Sequence, residues 1–290
     1  MDVSVIIVNY NTYRLLSECL ETLYAQTIGI QFEVIVVDNA SNDDSEKNIT
    51  KLYPQVKWLN SGSNIGFGRA NNLGYSYASG KYIFLLNSDT LLANNAIKAF
   101  YDYAEMHINE QIGVLGCWLL DRNGNINNSY GQFPSPRSET NYLLGKIRLN
   151  IKHLQRKGVI DVDYVIGADM FIHREVFEKF EGFDSNFFMY YEETDLQYRM
   201  AKAGYIRRII DQPQIIHFEG GSFTKKGLTF NRYMMAQRSY LYYIAKHYKG
   251  IKYITFRFFL CILRSFIFFQ RNWTVKERFY GFLTTLTNWK

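Results

Sequence analysis

The chain has 290 residues, 47% of them apolar and 21% charged, which excludes a largely disordered protein and suits one large α/β domain with an appendage, or two small domains. Charge is uneven. Residues 1–221 carry a net −6, whereas 222–290 carry 13 Lys and Arg against Glu277 alone, so the total of +6 hides an acidic body and a basic tail suited to an anionic partner. Cys19, Cys117 and Cys261 lie far apart with no metal-ligand spacing, which argues against a disulfide framework and fits a reducing compartment.

The chain runs from Met1 and Asp2 straight into VSVIIV at 3–8, with no basic segment or cleavage site, so no signal peptide is expected. That run is β-branched and apolar, as for a strand buried on both faces. A polar loop follows at Asn9, Tyr10, Asn11 and Thr12. Leu15, Leu16, Cys19, Leu20 and Leu23 then recur at helical spacing. Residues 32–37 predict a second strand ending at Asp38, before a turn and N-cap cluster at 41–44. A third strand is predicted at 56–59. A glycine-rich loop at 61–68 then opens a helix through Tyr77. A fourth strand at 82–86 ends on Asn87, Ser88 and Asp89. Strands alternating with helices at this spacing predict βαβ units and a mainly parallel sheet.

The middle is less regular. Residues 114–120 predict a strand, with a turn and hairpin signal at 121–125. Residues 133–158, with Pro134 and Pro136, predict a mobile loop or irregular excursion. An apolar strand is predicted at 164–172 and a helix at 193–203 closed by Gly204. In the tail, 253–269 is rich in Phe, Leu and Ile, and Arg257, Arg264, Arg271 and Arg278 sit seven apart. Thr274 and Glu277 form a capping-box pattern that opens a second tail helix. The uninterrupted apolar run is far below the roughly 20 residues needed to span a bilayer.

Ligands of open parallel sheets bind at the carboxyl ends of the strands. Asn9 to Asn11, Asp38 with Asn39, and Asn87 to Asp89 all fall at such ends, which points to a shared cleft. Gly66, Gly68 and Arg69 precede a helix and can cradle phosphate. Their spacing is not G-x-G-x-x-G and they follow the third strand, so a dinucleotide site is a poor reading. Glu192, Glu193 and Asp195 stand beside Tyr190 and Tyr191 at a helix start, where acids also complement the helix dipole. At about 100° per residue they cannot all face one cleft; Glu192 and Asp195 roughly share a face, leaving Glu193 pointing elsewhere. His217 reads either as a metal ligand or as a satisfied core histidine.

Together these runs resemble the inverting family-two glycosyltransferases of GT-A fold, notably the rhamnosyltransferase-like branch. The matching segments are VSVIIVNYNT (3–12), VIVVDNAS (34–41), NIGFGRANN (64–72), LLNSD (85–89), GFD (182–184), FMYYEETDL (188–196) and IHFEGGS (216–222). The resemblance covers about residues 2–222. It implies a GT-A-like nucleotide-diphospho-sugar transferase domain there, with a mainly parallel central sheet, followed by a basic, aromatic helical extension over 223–290.

The resemblance also implies roles. Asp38 accepts from the pyrimidine of a UDP- or dTDP-sugar, with Asn9 and Asn11 near the nucleotide. Gly66, Arg69 and Asn71 lie near the sugar nucleotide. Asp89 is the last acid of a D-x-D motif whose first place holds Asn87, a departure that weakens the expected affinity for Mn2+ or Mg2+. His217 completes the metal shell. Glu193 is the catalytic base, with Glu192 and Asp195 beside it on the substrate side. Gly167, Ala168 and Asp169 line the acceptor side. The metal and Arg69 would offset charge on the departing diphosphate. The acceptor would be a saccharide or lipid-linked saccharide, in cell-surface polysaccharide synthesis.

The tail's composition predicts contact with an anionic membrane, on the inner face of the cell membrane, with Arg257 and Arg264 near headgroups. A packed appendage or homodimer surface is the plainer reading, and nucleic acid fits less well. A non-catalytic sugar-nucleotide or glycan binder could keep the same fold. Glu193 together with Asp89 and His217 separates the enzyme from it, since a binder needs no such set.

Overall fold

A computed structural model describes residues 1–143, 158–218, 229–269 and 272–287. Its first half follows the expected alternation. Strands β1 (Val3–Asn9), β2 (Phe32–Asp38), β3 (Lys57–Asn60) and β4 (Tyr82–Asn87) alternate with helices α1 (Tyr13–Gln26), α2 (Ser45–Leu52) and α3 (Phe67–Tyr75). These strands pair in parallel, in the order β3-β2-β1-β4. Alternate side chains serve opposite faces. Val5, Ile7, Val34, Phe84 and Leu86 pack with Leu16, Leu20 and Phe100 on one side. Ile6, Ile35, Ile83 and Leu85 pack with Ala70, Leu196 and Met200 on the other. Burial on both faces is why these strands read as unbroken apolar runs.

The chain continues through β5 (Thr90–Leu92), α4 (Ala96–Met106), β6 (Ile112–Cys117), β7 (Tyr130–Gly131), α5 (Pro136–Leu143), β8 (Ile160–Asp161) and β9 (Tyr164–Val165). It then forms β10 (Asp169–His173), α6 (Arg174–Lys179), α7 (Glu192–Lys202), β11 (Ile206–Ile210) and β12 (Ile215–His217). The central sheet has eight strands, ordered β3-β2-β1-β4-β10-β6-β11-β8. β10 runs antiparallel to both β4 and β6, so the second half of the sheet is mixed. The strand expected at 164–172 is two short pieces: β9 pairs with β7 in a separate ribbon, and β10 enters the main sheet. Residues 166–168 between them are thereby left for the site. The hairpin expected after 120 appears as an antiparallel bridge from Leu120 to Ile126.

The tail holds α8 (Phe230–His247), α9 (Gly250–Arg264), a 3-10 turn (Ser265–Phe269) and α10 (Val275–Thr287). The capping box is present. The Thr274 amide donates to Glu277 Oε2 at 2.8 Å, and the Glu277 amide donates to Thr274 Oγ1 at 3.2 Å. α8 was not anticipated. Its Tyr240, Tyr243 and Ile244 pack with Phe256 and Leu260 of α9 and with Phe187 of the body.

The expected headgroup roles of Arg257 and Arg264 are corrected here. Arg257 is fully buried and donates to the Thr285 carbonyl, so it joins α9 to α10. The Arg264 guanidinium lies 5.5 Å from the Tyr240 ring centroid and 3.9 Å from Glu139. What α9 and its 3-10 turn expose is instead an apolar stripe of Ile251, Ile254, Phe258, Ile262, Phe266 and Phe269, spaced three or four apart. Among the described residues no helix is long and apolar enough to cross a membrane. Residues 144–157 of the expected loop, 219–222 of the last matching motif, and Arg271 lie outside the described residues.

Candidate active site

A cavity of about 440 Å3 opens at the carboxyl ends of the parallel strands. In-register pairing sets Asn9 opposite Asp38. Asn9 Nδ2 donates to Asp38 Oδ1 at 2.8 Å, and Asp38 Oδ2 accepts from the Ser41 amide at 3.0 Å. Thr12 Oγ1 donates to Asn9 Oδ1 at 2.7 Å. Asn11 Oδ1 accepts from the Asn42 amide at 2.7 Å. Asn9, Asn11 and Asp38 thus build the two turns behind the cavity. Their neighbours Tyr10 and Asn39 line it. The cause is local: left-handed backbone at Asn11 and Ala40 turns the chain just past each strand end.

The glycine-rich loop is tied to the segment before α7. Gly66 has φ +87, and a Cβ there would sit 2.1 Å from the Phe188 carbonyl oxygen, so only glycine fits. The Phe67 amide donates to that same oxygen at 3.1 Å. Asn64 and Phe67 line the cavity, whereas Gly66 and Asn71 stand behind it, Asn71 Nδ2 donating to the Phe67 carbonyl at 3.0 Å. Arg69 is exposed, lies outside the lining, and donates from Nε to the Ser185 carbonyl at 2.6 Å.

Asp89 and His217 do meet. β12 pairs antiparallel with β5 so that His217 faces Thr90, and the Phe218 amide donates to the Asp89 carbonyl at 2.9 Å. His217 Nε2 consequently lies 3.4 Å from Asp89 Oδ1, with both residues buried. Asn87 and Ser88 line the same wall. Two ligand atoms at that separation fit one divalent cation, whose contacts run roughly 2–2.6 Å. Among the described residues no group of three His, Cys, Asp or Glu gathers. Phosphate oxygens and water would therefore complete the shell, as is usual for a hard cation.

The opposite wall carries the acids. Tyr190 and Tyr191 are both left-handed, at φ 69 and 68, a costly conformation for aromatic residues. α8 holds them: Ser239 Oγ donates to the Met189 carbonyl at 2.7 Å, and Tyr191 packs 5.2 Å from Tyr240. The turn delivers both Glu192 and Glu193 to the cavity. Burial, and then the charge of Glu193, push the Glu192 carboxyl up to about 8. Burial also raises Glu193, against backbone hydrogen bonds from the helix start.

Asp195, expected on the substrate side with Glu192, faces away from the cavity. Its fully buried carboxylate takes Arg199 Nε at 2.9 Å, Lys246 Nζ at 2.8 Å and His247 Nε2 at 2.6 Å. Burial alone would raise it, but hydrogen bonds from His247 and Lys246 and the charge of Arg199 hold it below the usual range. Helical spacing alone does not reveal α8, the element that captures Asp195.

Gly167 and Ala168 line the cavity, but Asp169 does not. It begins β10 and turns into the sheet, where Oδ2 accepts from the Cys117 amide at 2.7 Å and burial pushes its carboxyl up to about 7. α8 adds Arg232 and Met235 to the wall, and Arg232 Nε donates to the Tyr190 hydroxyl at 3.3 Å. No sequence motif marked Arg232; the only hint was the tail's positive charge.

The family model described as glycosyl transferase family 2 matches residues 4–180. The low-salt glycan biosynthesis hexosyltransferase Agl10 of Haloferax volcanii is 30% identical over 207 residues, 69% of this chain and 62% of that protein. The N-acetylglucosaminyl-diphospho-decaprenol L-rhamnosyltransferase of Mycobacterium tuberculosis is 27% identical over 208 residues, 65% of this chain and 67% of that protein. The chain thus spans about two thirds of the length of these curated relatives. The crystal structure of GalNAc-T7 with UDP, GalNAc and Mn2+ superposes with a TM-score of 0.64 at 15% identity, over 91% of this chain and 51% of that one, a likeness of fold.

Proposed function

This chain belongs to glycosyl transferase family 2 and has a GT-A-like fold, and we propose that it moves a sugar from a nucleotide-diphosphate donor to a hydroxyl acceptor with inversion. The observation that carries this reading is one cavity with Asp89 and His217 on one wall and Glu192 and Glu193 on another. The acids suit a base, and the Asp–His pair suits a cation beside a diphosphate. A binder would need neither arrangement.

Glu193 takes the proton from the acceptor hydroxyl as its oxygen bonds to the anomeric carbon. The bond from that carbon to the diphosphate oxygen breaks, and its electron pair leaves with the diphosphate. Attack from the face opposite the leaving group inverts the centre. Asp89 and His217 would hold Mn2+ or Mg2+, which when bound supplies positive charge beside the diphosphate. Glu192, raised by burial, keeps its proton near neutral pH and can donate a hydrogen bond to substrate. Tyr10, Asn39 and Asn64 sit where the nucleotide would enter, and UDP and dTDP both suit a polar wall of this kind. Gly167 and Ala168 give a small-residue floor on the acceptor side.

The relatives' names support a role in glycan synthesis and, in the mycobacterial case, a lipid-linked acceptor. We read residues 1–222 as the catalytic unit and 223–290 as the extension that completes it. The exposed apolar stripe of α9, with Lys249 and Lys252 exposed beside it, favours peripheral attachment to the inner face of an anionic membrane. The test is incubation of the purified chain with a panel of UDP- and dTDP-sugars and Mn2+, reading nucleoside diphosphate release. Release from at least one donor, stimulated by a saccharide acceptor, is expected. Silence across the panel with a correctly folded protein would overturn the reading.

A further inference from the structure

We propose that Arg232, contributed by the C-terminal helix α8, binds a diphosphate group in the cavity. The inference rests on the glycosyl-transfer reading for where that diphosphate comes from. The cavity wall carries the acids Asp89, Glu192 and Glu193, and among the described residues Arg232 is its one Lys or Arg. Arg69, the arginine that the sequence offered for this task, is bonded to the Ser185 carbonyl outside the cavity. A diphosphate entering beside three carboxyl groups needs fixed positive charge on the protein side.

Arg232 is held for that purpose. Thr229 Oγ1 caps α8 by accepting from the Arg232 amide at 3.4 Å, which sets its backbone. Its Nε donates to the hydroxyl of Tyr190, a residue of the cavity wall two positions before Glu192. The planar guanidinium is thereby seated at the wall, and its fork of N–H donors matches a pair of phosphate oxygens as a lysine ammonium would not. One diphosphate belongs to the nucleotide donor. A second would belong to an acceptor carried on an isoprenoid diphosphate.

Calorimetric titration of the full chain with Mn2+ present separates these sources. The probes are UDP, dTDP, farnesyl diphosphate and uridine. Arg232→Gln should weaken at least one diphosphate probe by about 10–100-fold, the effect of losing a hydrogen bond to a charged group, and leave uridine unchanged. Loss confined to UDP and dTDP assigns Arg232 to the donor, and loss confined to farnesyl diphosphate assigns it to the acceptor. Wild-type affinity for all diphosphates in a variant of wild-type Tm overturns the proposal and leaves the glycosyl-transfer reading intact. A wild-type protein that binds no probe counts against that reading, and the inference falls with it. Should the glutamine variant fail to fold, Arg232→Lys keeps charge and stem but loses the fork. It should bind several-fold more weakly, and wild-type affinity there is equally fatal.

Discussion

The fully buried Asp195 meets His247 at 2.6 Å, a contact that fastens α8 to α7, the helix whose first turn carries Glu192 and Glu193. Lys246 strengthens the joint by bridging Asp195 and Asp184, at 2.8 and 2.6 Å. The C-terminal extension is therefore part of the site's framework. Asp195→Asn keeps the shape but leaves Arg199 and Lys246 short of negative charge. Both keep other partners and part of their exposure, so the loss is that of a hydrogen bond to a charged group, about 1.5–3 kcal/mol. Urea unfolding should show a destabilisation of that size, accompanied by loss of transfer. A variant as stable as wild type would mean the cluster does not hold the two helices together.

The cation pair makes a second expectation. His217→Ala and Asp89→Asn should each weaken Mn2+ binding, read by the paramagnetic resonance of free Mn2+, with the fold unchanged. Chelation by EDTA should abolish donor turnover, and Mn2+ or Mg2+ should restore it. Full activity in chelator contradicts the assignment. Asn87 in place of an acid removes one negative charge from the site, so the metal should exchange readily and need no harsh stripping.

Much of this was legible in the sequence because doubly buried parallel strands must be apolar and end where polar residues begin. That logic places β1, β2, β4 and their ends correctly. It does not say which of two adjacent end residues turns inward. Tyr10 and Asn39 line the cavity, and left-handed Asn11 and Ala40 follow them in the chain. The break between β9 and β10 was hidden because apolar residues continue across it. Composition equally does not separate a buried arginine from an exposed one: Arg257 sits in a lipid-like run but ties α9 to Thr285.

The proposed membrane attachment predicts contact through phenylalanine and lysine side chains. Phe258, Phe266 and Phe269 are 65%, 58% and 77% exposed on one face of the α9 segment. The double substitution Phe258→Asp with Phe269→Asp should abolish co-sedimentation with anionic vesicles. Lys249→Gln with Lys252→Gln should weaken it and reduce its sensitivity to salt, since each basic residue near such a surface contributes about 1 kcal/mol. Arg257→Gln should instead lower stability. Vesicle binding that survives the double aspartate substitution rules out this face.

The acid pair sets the pH response. Glu192 is pushed up to about 8 and Asp169 to about 7, both chiefly by burial. A carboxyl with a raised folded pKa binds its proton more tightly when folded. Its contribution therefore favours the native state below the folded value relative to above it, and stability falls as pH rises from the ordinary carboxylate range toward 8. Glu192→Gln removes one such penalty, so its stability should decline less than that of wild type between pH 5 and 9. Because Glu192 already holds its proton over the acid limb of the rate profile, the neutral glutamine should leave that limb in place. Identical stability profiles for the two proteins would contradict a buried, proton-holding Glu192.

Glu193 is the stronger candidate for the base for reasons of position. Asp195 is engaged by Arg199, Lys246 and His247 and faces α8, so it has no path to an acceptor. Glu192 is the more deeply buried of the cavity pair, and burial pushes its carboxyl up. A proton held there lets Glu193 stay ionised close by. Burial raises Glu193 as well, which brings its basicity nearer to working pH. Glu193→Gln keeps the volume and removes the basicity. Transfer should fall by about 10²–10⁴-fold, while nucleoside diphosphate affinity and unfolding free energy stay near wild type. Asp195→Asn should differ by losing stability together with activity. If Glu193→Gln transfers sugar at the wild-type rate and Glu192→Gln is inactive but folded, the base is Glu192, and the proton order within the pair is reversed.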